Sequence, residues 1–191
     1  MSVVIVAGGL AVDGVFPEVT FESGKGTLTV VAGPAGSGRT SLLLTLAGRM
    51  KPTGGTLSVA GHTRPRAIRK AAALALVDGV TDLDRSLTVR EHLRERRRKP
   101  YTQVLKRAGV VADERALTRE LDREQRVRLG LALALLDDPQ VIIADNVDLG
   151  LPDDRRLALW QVLRDLAAAG HTVVASAVEA PARVDTLVEL S

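Results

Sequence analysis

Val30-Val31-Ala32-Gly33-Pro34-Ala35-Gly36-Ser37-Gly38-Arg39-Thr40-Ser41-Leu42-Leu43-Leu44 is the stretch whose reading decides the fold. Its apolar opening reads as a buried strand and its Leu-rich end as a helix beginning near Gly38, with a glycine-rich turn between them. Gly33, Gly36 and Gly38 have no Cβ, so they permit positive φ and let backbone N–H groups come close to an anion. The helix start adds unpaired N–H donors and the positive end of its dipole. This is the layout of a P-loop, G-x-x-x-x-G-K-[ST], with Arg39 at the lysine position. Gly33, Gly36, Ser37, Gly38, Arg39, Thr40 and Ser41 are the candidate phosphate-binding residues, and the Thr40 hydroxyl can reach Mg²⁺.

Composition narrows the field around that loop. A chain of 191 residues, 46% hydrophobic and 26% charged, is long enough for one well-buried domain or one with a small appended lobe. A net charge of +3 tolerates acidic partners without indicating nucleic acid. The absence of cysteine excludes disulfides and thiolate metal sites. The N-terminal Met1-Ser2-Val3-Val4 lacks the basic region of a signal peptide. No apolar run reaches the roughly 18–20 residues needed to span a bilayer. A cytoplasmic protein, placed at the inner face of the membrane by a partner, is the expectation. Aromatics are few (Phe16, Phe21, Tyr101 and Trp160), which argues against a base-stacking platform for single-stranded nucleic acid.

Outward from the loop, Val3 to Gly26 reads as short strands, and the loop's helix as running to about Arg49. Thr56-Leu57-Ser58-Val59 and the apolar run Ala73 to Val77 follow. From Thr88 to about Leu136 the pattern is helical, opened by a Thr88-x-x-Glu91 capping box. Asp122 to Leu136 is charged in its first half and apolar in its second, as if one end were exposed and the other buried. Val141-Ile142-Ile143-Ala144-Asp145 is a buried strand ending in a carboxylate, where ligands of open α/β sheets collect, so Thr40 and Asp145 are the candidate Mg²⁺ residues. A helix from Asp153 carries Leu157, Trp160, Leu163 and Leu166 on one face, and His171–Ser176 and Val184–Leu190 are further strands. Strands alternating with helices predict an α/β layered core.

The order and spacing of these segments resemble the nucleotide-binding domain of the ABC (ATP-binding cassette) ATPases over nearly the whole chain. Gly33–Thr40 resembles Walker A and Val141–Asp145 Walker B. Val77 and the following Leu87-Thr88-Val89-Arg90-Glu91-His92-Leu93 resemble the Q-loop and the start of the helical subdomain. Leu121 to Arg128 sits where that family has its LSGGQ signature helix. The resemblance implies a P-loop NTPase fold: a RecA-like core of residues 1–79 and 137–191, a small antiparallel β region, and a helical subdomain of residues 80–136.

Several positions depart from the family pattern. Leu10 is the nearest equivalent of the adenine-stacking aromatic. Arg39 replaces the lysine, and its guanidinium is not a neutral swap for a compact ammonium. Asp78 stands at the Q-loop glutamine, and Asp122-Arg123-Glu124 replaces Ser-Gly-Gly between Leu121 and Gln125. Asn146 holds the general-base position, Val178 the switch-histidine position, and Leu149-Gly150-Leu151-Pro152 lacks its aspartate. Asp78, Asp148 and Glu179 read as loop residues, and His171 as a surface residue. Catalytic groups of these kinds each contribute about 10²-fold or more.

The resemblance therefore implies an ABC-type subunit with altered catalytic motifs. It binds ATP and Mg²⁺, hydrolyses slowly or not at all, and acts with a separately encoded membrane permease in a homo- or heterodimer of cassettes. An active transport ATPase and a nucleotide-independent adaptor remain the alternatives. The region from Thr81 to Leu87 resembles the surface on which the family docks its membrane subunit. The run Arg94-Glu95-Arg96-Arg97-Arg98-Lys99 reads as a solvated helix face, with an anionic lipid surface, an acidic partner or nucleic acid as its alternatives.

Overall fold

Continuous burial along the apolar strands dictates the layers. The computed structural model describes residues 2–96 and 100–191. It holds an all-parallel five-stranded sheet of β3 (Leu28–Ala32), β5 (Ala72–Leu74), β6 (Val141–Ala144), β7 (Thr172–Ala177) and β8 (Thr186–Glu189), in the order β5-β6-β7-β3-β8. Val31, Val141, Ile143 and Val174 face one core, and Val30, Ile142, Ala144, Val173 and Ala175 face another. A strand buried on both faces has no polar side to spare, hence the near-continuous Val/Ile/Ala runs.

The first core lies under an antiparallel sheet of β1 (Val3–Val12), β2 (Phe16–Gly24) and β4 (Gly54–Val59), ordered β2-β1-β4. The helix α1 (Arg39–Leu46) contributes Leu42, Leu43 and Leu46 to it, all fully buried. Each such leucine contributes roughly 1.5–3 kcal/mol by leaving water. The short strands expected before Gly26 are instead one hairpin of a 10-residue and a 9-residue strand. Register shifts between Ala7 and Leu10 and between Leu10 and Val12 bend that ribbon, so no break in pairing is needed. α1 also ends before the expected Arg49. Gly48 N–H bonds Thr45 O (2.9 Å) and Arg49 N–H bonds Leu44 O (2.8 Å), the pattern of a Schellman stop. α2 (Pro65–Ala71) packs Ile68 into the same core.

On the other face of the parallel sheet lie α5 (Arg123–Leu135) and α6 (Asp153–Ala168). The face of α6 differs from the expected one: Leu157 is 63% exposed, while Leu159, Trp160, Leu163 and Leu166 are buried. Steps of three residues drift about 60° each on a 3.6-residue helix, so Leu157 and Leu166 cannot share a face. Between β5 and β6 the described chain is helical: α3 (Val89–Arg96), α4 (Thr102–Ala108), a 3₁₀ turn at Thr118–Glu120, and α5. Val89, Leu93, Leu121, Leu129, Leu133 and Leu136 give this part a small core of its own. Thr88 and Glu91 open α3 reciprocally, with Thr88 N–H to Glu91 Oε2 at 2.7 Å and Glu91 N–H to Thr88 Oγ1 at 3.2 Å. Of the basic run, Arg97, Arg98 and Lys99 lie outside the described residues.

α5 is more buried at its charged end than its sequence suggests. Glu124 and Arg128 are 9% and 6% exposed, and the Glu124 carboxylate meets Arg128 Nη2 at 2.6 Å and Nε at 2.7 Å. An i,i+4 pair neutralises itself inside the protein, so charge on a helix is no measure of exposure.

Candidate functional site

Parallel strands deliver their carboxyl ends to one edge of the sheet, and four segments meet there. Gly33 follows β3, Asp145 follows β6, Val178 follows β7 and Leu190 follows β8. The P-loop turns from β3 into α1 at Gly38, whose φ of 91° lies in the left-handed region that glycine adopts without strain. The space where a Cβ would stand is also taken. At Gly38 it would strike the Val15 carbonyl and lie 2.6 Å from Phe16 Cβ, in the turn between β1 and β2. At Gly33 it would strike the Leu190 carbonyl. Both glycines are required by close packing of backbone on backbone.

The start of α1 lacks acceptors. Gly38 offers no side-chain cap, and no acidic residue occupies the first turn. Arg39 is only 7% exposed, and among the described residues its Nη1 has no hydrogen-bond partner; neither has Ser37 Oγ. A buried donor without a partner carries its whole desolvation cost, about 1–3 kcal/mol and more when charged. Gly36, Gly38, Arg39, Thr40, Ser41 and Asn146 line a cavity of about 410 Å³ at this point. Ser37 lines an adjoining cleft beneath the β1–β2 turn, and Gly33 lines a second beside Val178 and Glu179.

Asp145, 4% exposed, is held from two sides. Thr40 Oγ1 donates to its Oδ2 at 2.6 Å, and Ser176 Oγ donates to its Oδ1. Ser176 Oγ also accepts from Asn146 N–H at 2.8 Å. Ser176 is a site residue the sequence reading missed. Its signal is a lone hydroxyl in the apolar Val173-Val174-Ala175 run, one strand away from Asp145 because β6 and β7 pair Ala144 with Ala175.

The donors and acceptors present fit a magnesium polyphosphate. An uncapped helix start, a buried guanidinium N–H and a serine hydroxyl without partners match phosphate oxygens. Thr40 Oγ1 and the Asp145 carboxylate are hard oxygen ligands on adjacent atoms. Among the described residues no group of three His, Cys, Asp or Glu side chains could hold a metal by itself. A Mg²⁺ ion takes one or two protein oxygens and completes its shell with phosphate and water, so a two-residue set suffices.

The other departures have definite surroundings. Asn146 has φ of 45° and borders the P-loop cavity. Its carbonyl accepts from Arg123 Nη2 at 3.2 Å, and Arg123 Nη1 pairs with Asp78 Oδ2 at 3.2 Å. Asp122 caps α5, accepting from Gln125 N–H at 2.8 Å and from Arg155 Nη1 at 2.7 Å. The Gln125 amide bond lowers the Asp122 carboxyl below the ordinary carboxylate range, and Arg155 lowers it further. Asp148 accepts from Trp160 Nε1 at 3.1 Å, a contact that fixes the loop after β6. Val178 is 47% exposed and lines the cleft beside Gly33 rather than the P-loop cavity.

Two expectations fail. Leu10 is fully buried in the core under the antiparallel sheet, because its place in β1 turns it inward, away from any ligand. His171 is 8% exposed rather than on the surface. Its Nδ1 lies 2.8 Å from Pro139 O and its Nε2 lies 2.8 Å from Arg107 Nη2 on α4. A carbonyl accepts only, so Nδ1 carries the proton and Nε2 accepts from arginine.

A parallel sheet in which an interior strand, β3, ends in this loop defines a P-loop α/β nucleotide-binding fold. The model of the ABC transporter family matches residues 16–148, and the chain belongs to that family. It is 33% identical over 167 residues to Nod factor export ATP-binding protein I of Paraburkholderia xenovorans, covering 82% of this chain and 55% of that protein. It is 30% identical over 164 residues to a daunorubicin resistance ATP-binding protein of Streptomyces coeruleorubidus, covering 78% of this chain and 51% of that one. The chain thus spans about half the length of these curated relatives. In fold it is similar to a putative ABC transporter ATP-binding protein from Pyrococcus furiosus, with a TM-score of 0.83 at 20% identity over 97% of this chain and 96% of that one. It is also similar to cbiO1 from Clostridium perfringens, with a TM-score of 0.79 at 17% identity over 94% of this chain and 80% of that one. Among the described residues no helix is long and apolar enough to cross a membrane.

Proposed function

We propose that this chain is an ABC-type ATP-binding subunit that binds Mg-ATP at its P-loop, hydrolyses it slowly, and serves a separately encoded membrane permease. The observation carrying the binding half is Arg39: a buried guanidinium N–H without a partner, beside an uncapped helix start. In this reading Gly33, Gly36, Ser37, Gly38, Arg39, Thr40 and Ser41 hold the phosphates, with Thr40 and Asp145 on the metal. When bound, Mg²⁺ neutralises the charge of the phosphate oxygens.

Slow hydrolysis follows from the groups around that cavity. The residue after Asp145 is Asn146, whose amide can orient a water but cannot take its proton. The Asp145 carboxylate is engaged by Thr40 and Ser176 and is not free to act in its place. Val178, at the family's switch-histidine position, offers only an alkyl group and lines the cleft beside Gly33 rather than this cavity. Residues 80–136 form a helical subdomain set into a core of residues 1–79 and 137–191, placed at the cytoplasmic face by the permease. The export and resistance roles in the relatives' names support a transport role. A homo- or heterodimer of cassettes is the assembly that the family resemblance implies.

Titration of Mg-ATP into the protein, paired with a turnover assay, tests the reading. Binding with turnover at background level is expected. Turnover well above background that vanishes in Asp145→Ala would make the chain a working ATPase. Absence of any Mg-ATP-induced rise in melting temperature would make it a nucleotide-independent adaptor, since a ligand of the native state must raise its stability.

A further inference from the structure

Asp145 has two carboxylate oxygens, and a neighbouring strand has already claimed one of them. We propose that Ser176 is a positioning and specificity-determining residue, which ties up Asp145 Oδ1 so that only Oδ2 is left for a metal or its bound water, and which thereby makes the site take Mg²⁺ in preference to Ca²⁺; this rests on the P-loop reading above.

Ser176 lies on β7 and is fully buried, so it reaches no solute itself and acts through Asp145. Its Oγ accepts from Asn146 N–H at 2.8 Å. A serine hydroxyl has a single hydrogen, and with a donor already at the oxygen that hydrogen goes to Asp145 Oδ1. The backbone around the carboxylate is held as well. Asp145 N–H bonds Leu76 O at 3.2 Å, just past the end of β5, and Val147 N–H bonds Ser176 O at 3.2 Å. Asn146, between them, has φ of 45°, a left-handed conformation that asparagine tolerates and that these bonds maintain. One residue of β7 thus fixes Asp145, Asn146 and Val147 together.

The consequence is a choice between cations. With Oδ1 held by a hydroxyl of the protein, Asp145 can offer both oxygens to one ion only by giving up that buried bond, which would leave a polar group without a partner. Mg²⁺ loses nothing by this restriction, because it keeps a tight octahedron, takes few protein oxygens and fills the rest with phosphate and water. Ca²⁺ takes about six to eight oxygens in a looser shell and often draws two of them from one carboxylate. Thr40 Oγ1, 2.6 Å from Oδ2, marks the side of the carboxylate that stays open to a metal. A carboxylate with one oxygen to give suits the smaller ion.

Calorimetric titration of ATP into the whole chain, in EDTA, in excess Mg²⁺ and in excess Ca²⁺, tests this. In the wild type Mg²⁺ is expected to tighten binding more than Ca²⁺ does. In Ser176→Ala the gain from Mg²⁺ should fall roughly tenfold or more, as for other partners of metal ligands, while the gain from Ca²⁺ holds or rises and binding in EDTA is unchanged. Ser176→Thr, which keeps the hydroxyl, should restore the preference for Mg²⁺. Ser176→Cys, with its weak S–H donor, serves if the alanine variant does not fold. A loss common to all three conditions would make Ser176 a structural residue and overturn the inference, as would a full Mg²⁺ gain in the alanine variant. Equal gains from the two ions in the wild type overturn it too, while leaving the P-loop reading intact. Absence of ATP binding in all three conditions overturns the P-loop reading, and this inference with it.

Discussion

Two helix starts meet the same electrostatic problem in opposite ways. At α1 the cap is a glycine, the first turn carries no acid, and Ser37 Oγ and Arg39 Nη1 have no partners. At α5 the cap is Asp122, Glu124 sits in the first turn, and Arg128, Arg155 and Arg123 are paired with Glu124, Asp122 and Asp78. There, among the described residues, Arg123 Nε and Arg126 Nε are buried without a partner. Both starts have exposed N–H groups and a positive dipole end. One answers them with its own carboxylates and the other leaves them for an anion. A helix start is therefore a binding site only where the chain withholds its own acceptors.

The strongest test of that contrast is Glu124→Ala, which strands the Arg128 guanidinium inside the protein. A loss of about 3–5 kcal/mol in urea unfolding is expected, while the double change Glu124→Leu with Arg128→Met costs far less. A small effect of the single change would mean that α5 does not depend on its own pairing.

Arg39→Ala comes next and runs the other way. Removing a buried charge without a partner should leave thermal stability unchanged or raised, while phosphate affinity falls roughly 10- to 100-fold, from the approximate 1.5–3 kcal/mol of a charged hydrogen bond. Parallel losses of stability and binding would show that Arg39 is a structural residue.

Asp122→Ala removes the α5 cap at a cost of about 1 kcal/mol near neutral pH. The folded state lowers the Asp122 carboxyl pKa, chiefly through the Gln125 amide. Its contribution is thus complete above the ordinary carboxylate range and is lost as pH falls through the lowered folded value. The stability gap between wild type and Asp122→Ala should close on acidification, as followed by circular dichroism; a gap constant with pH would rule out the charged cap. Asp78→Ala is the mildest change. Its carboxylate is 57% exposed, and an exposed pair with Arg123 contributes at most about 1 kcal/mol. Denaturation midpoints should scarcely move, and any larger loss would mark the Arg123 bridge to Asn146 as a structural tie.

Much of this was legible in the chain. The P-loop, the apolar strand ending in Asp145 and the helical stretch after Thr88 show themselves because each depends on neighbours in sequence. Errors arose where a side chain's partner is distant. Leu10 reads as the nearest equivalent of an adenine-stacking aromatic until β1 is seen to pair with both β2 and β4, which turns it inward. His171 reads as surface until α4 brings Arg107 against it. Glu124 and Arg128 read as part of an exposed helix end until the fold buries them as a pair.

By itself the sequence determined the α/β class and the position of the glycine turn, since local spacing and the lack of a Cβ settle those. Only the tertiary structure decided which charges are already satisfied. It placed Ser176 on Asp145 and Arg123 across Asp78 and Asn146, and among the described residues it left Arg39 Nη1 without a partner. The physical reason is that pairing depends on distances of about 3 Å between segments far apart in the chain, and residue order does not encode such distances locally.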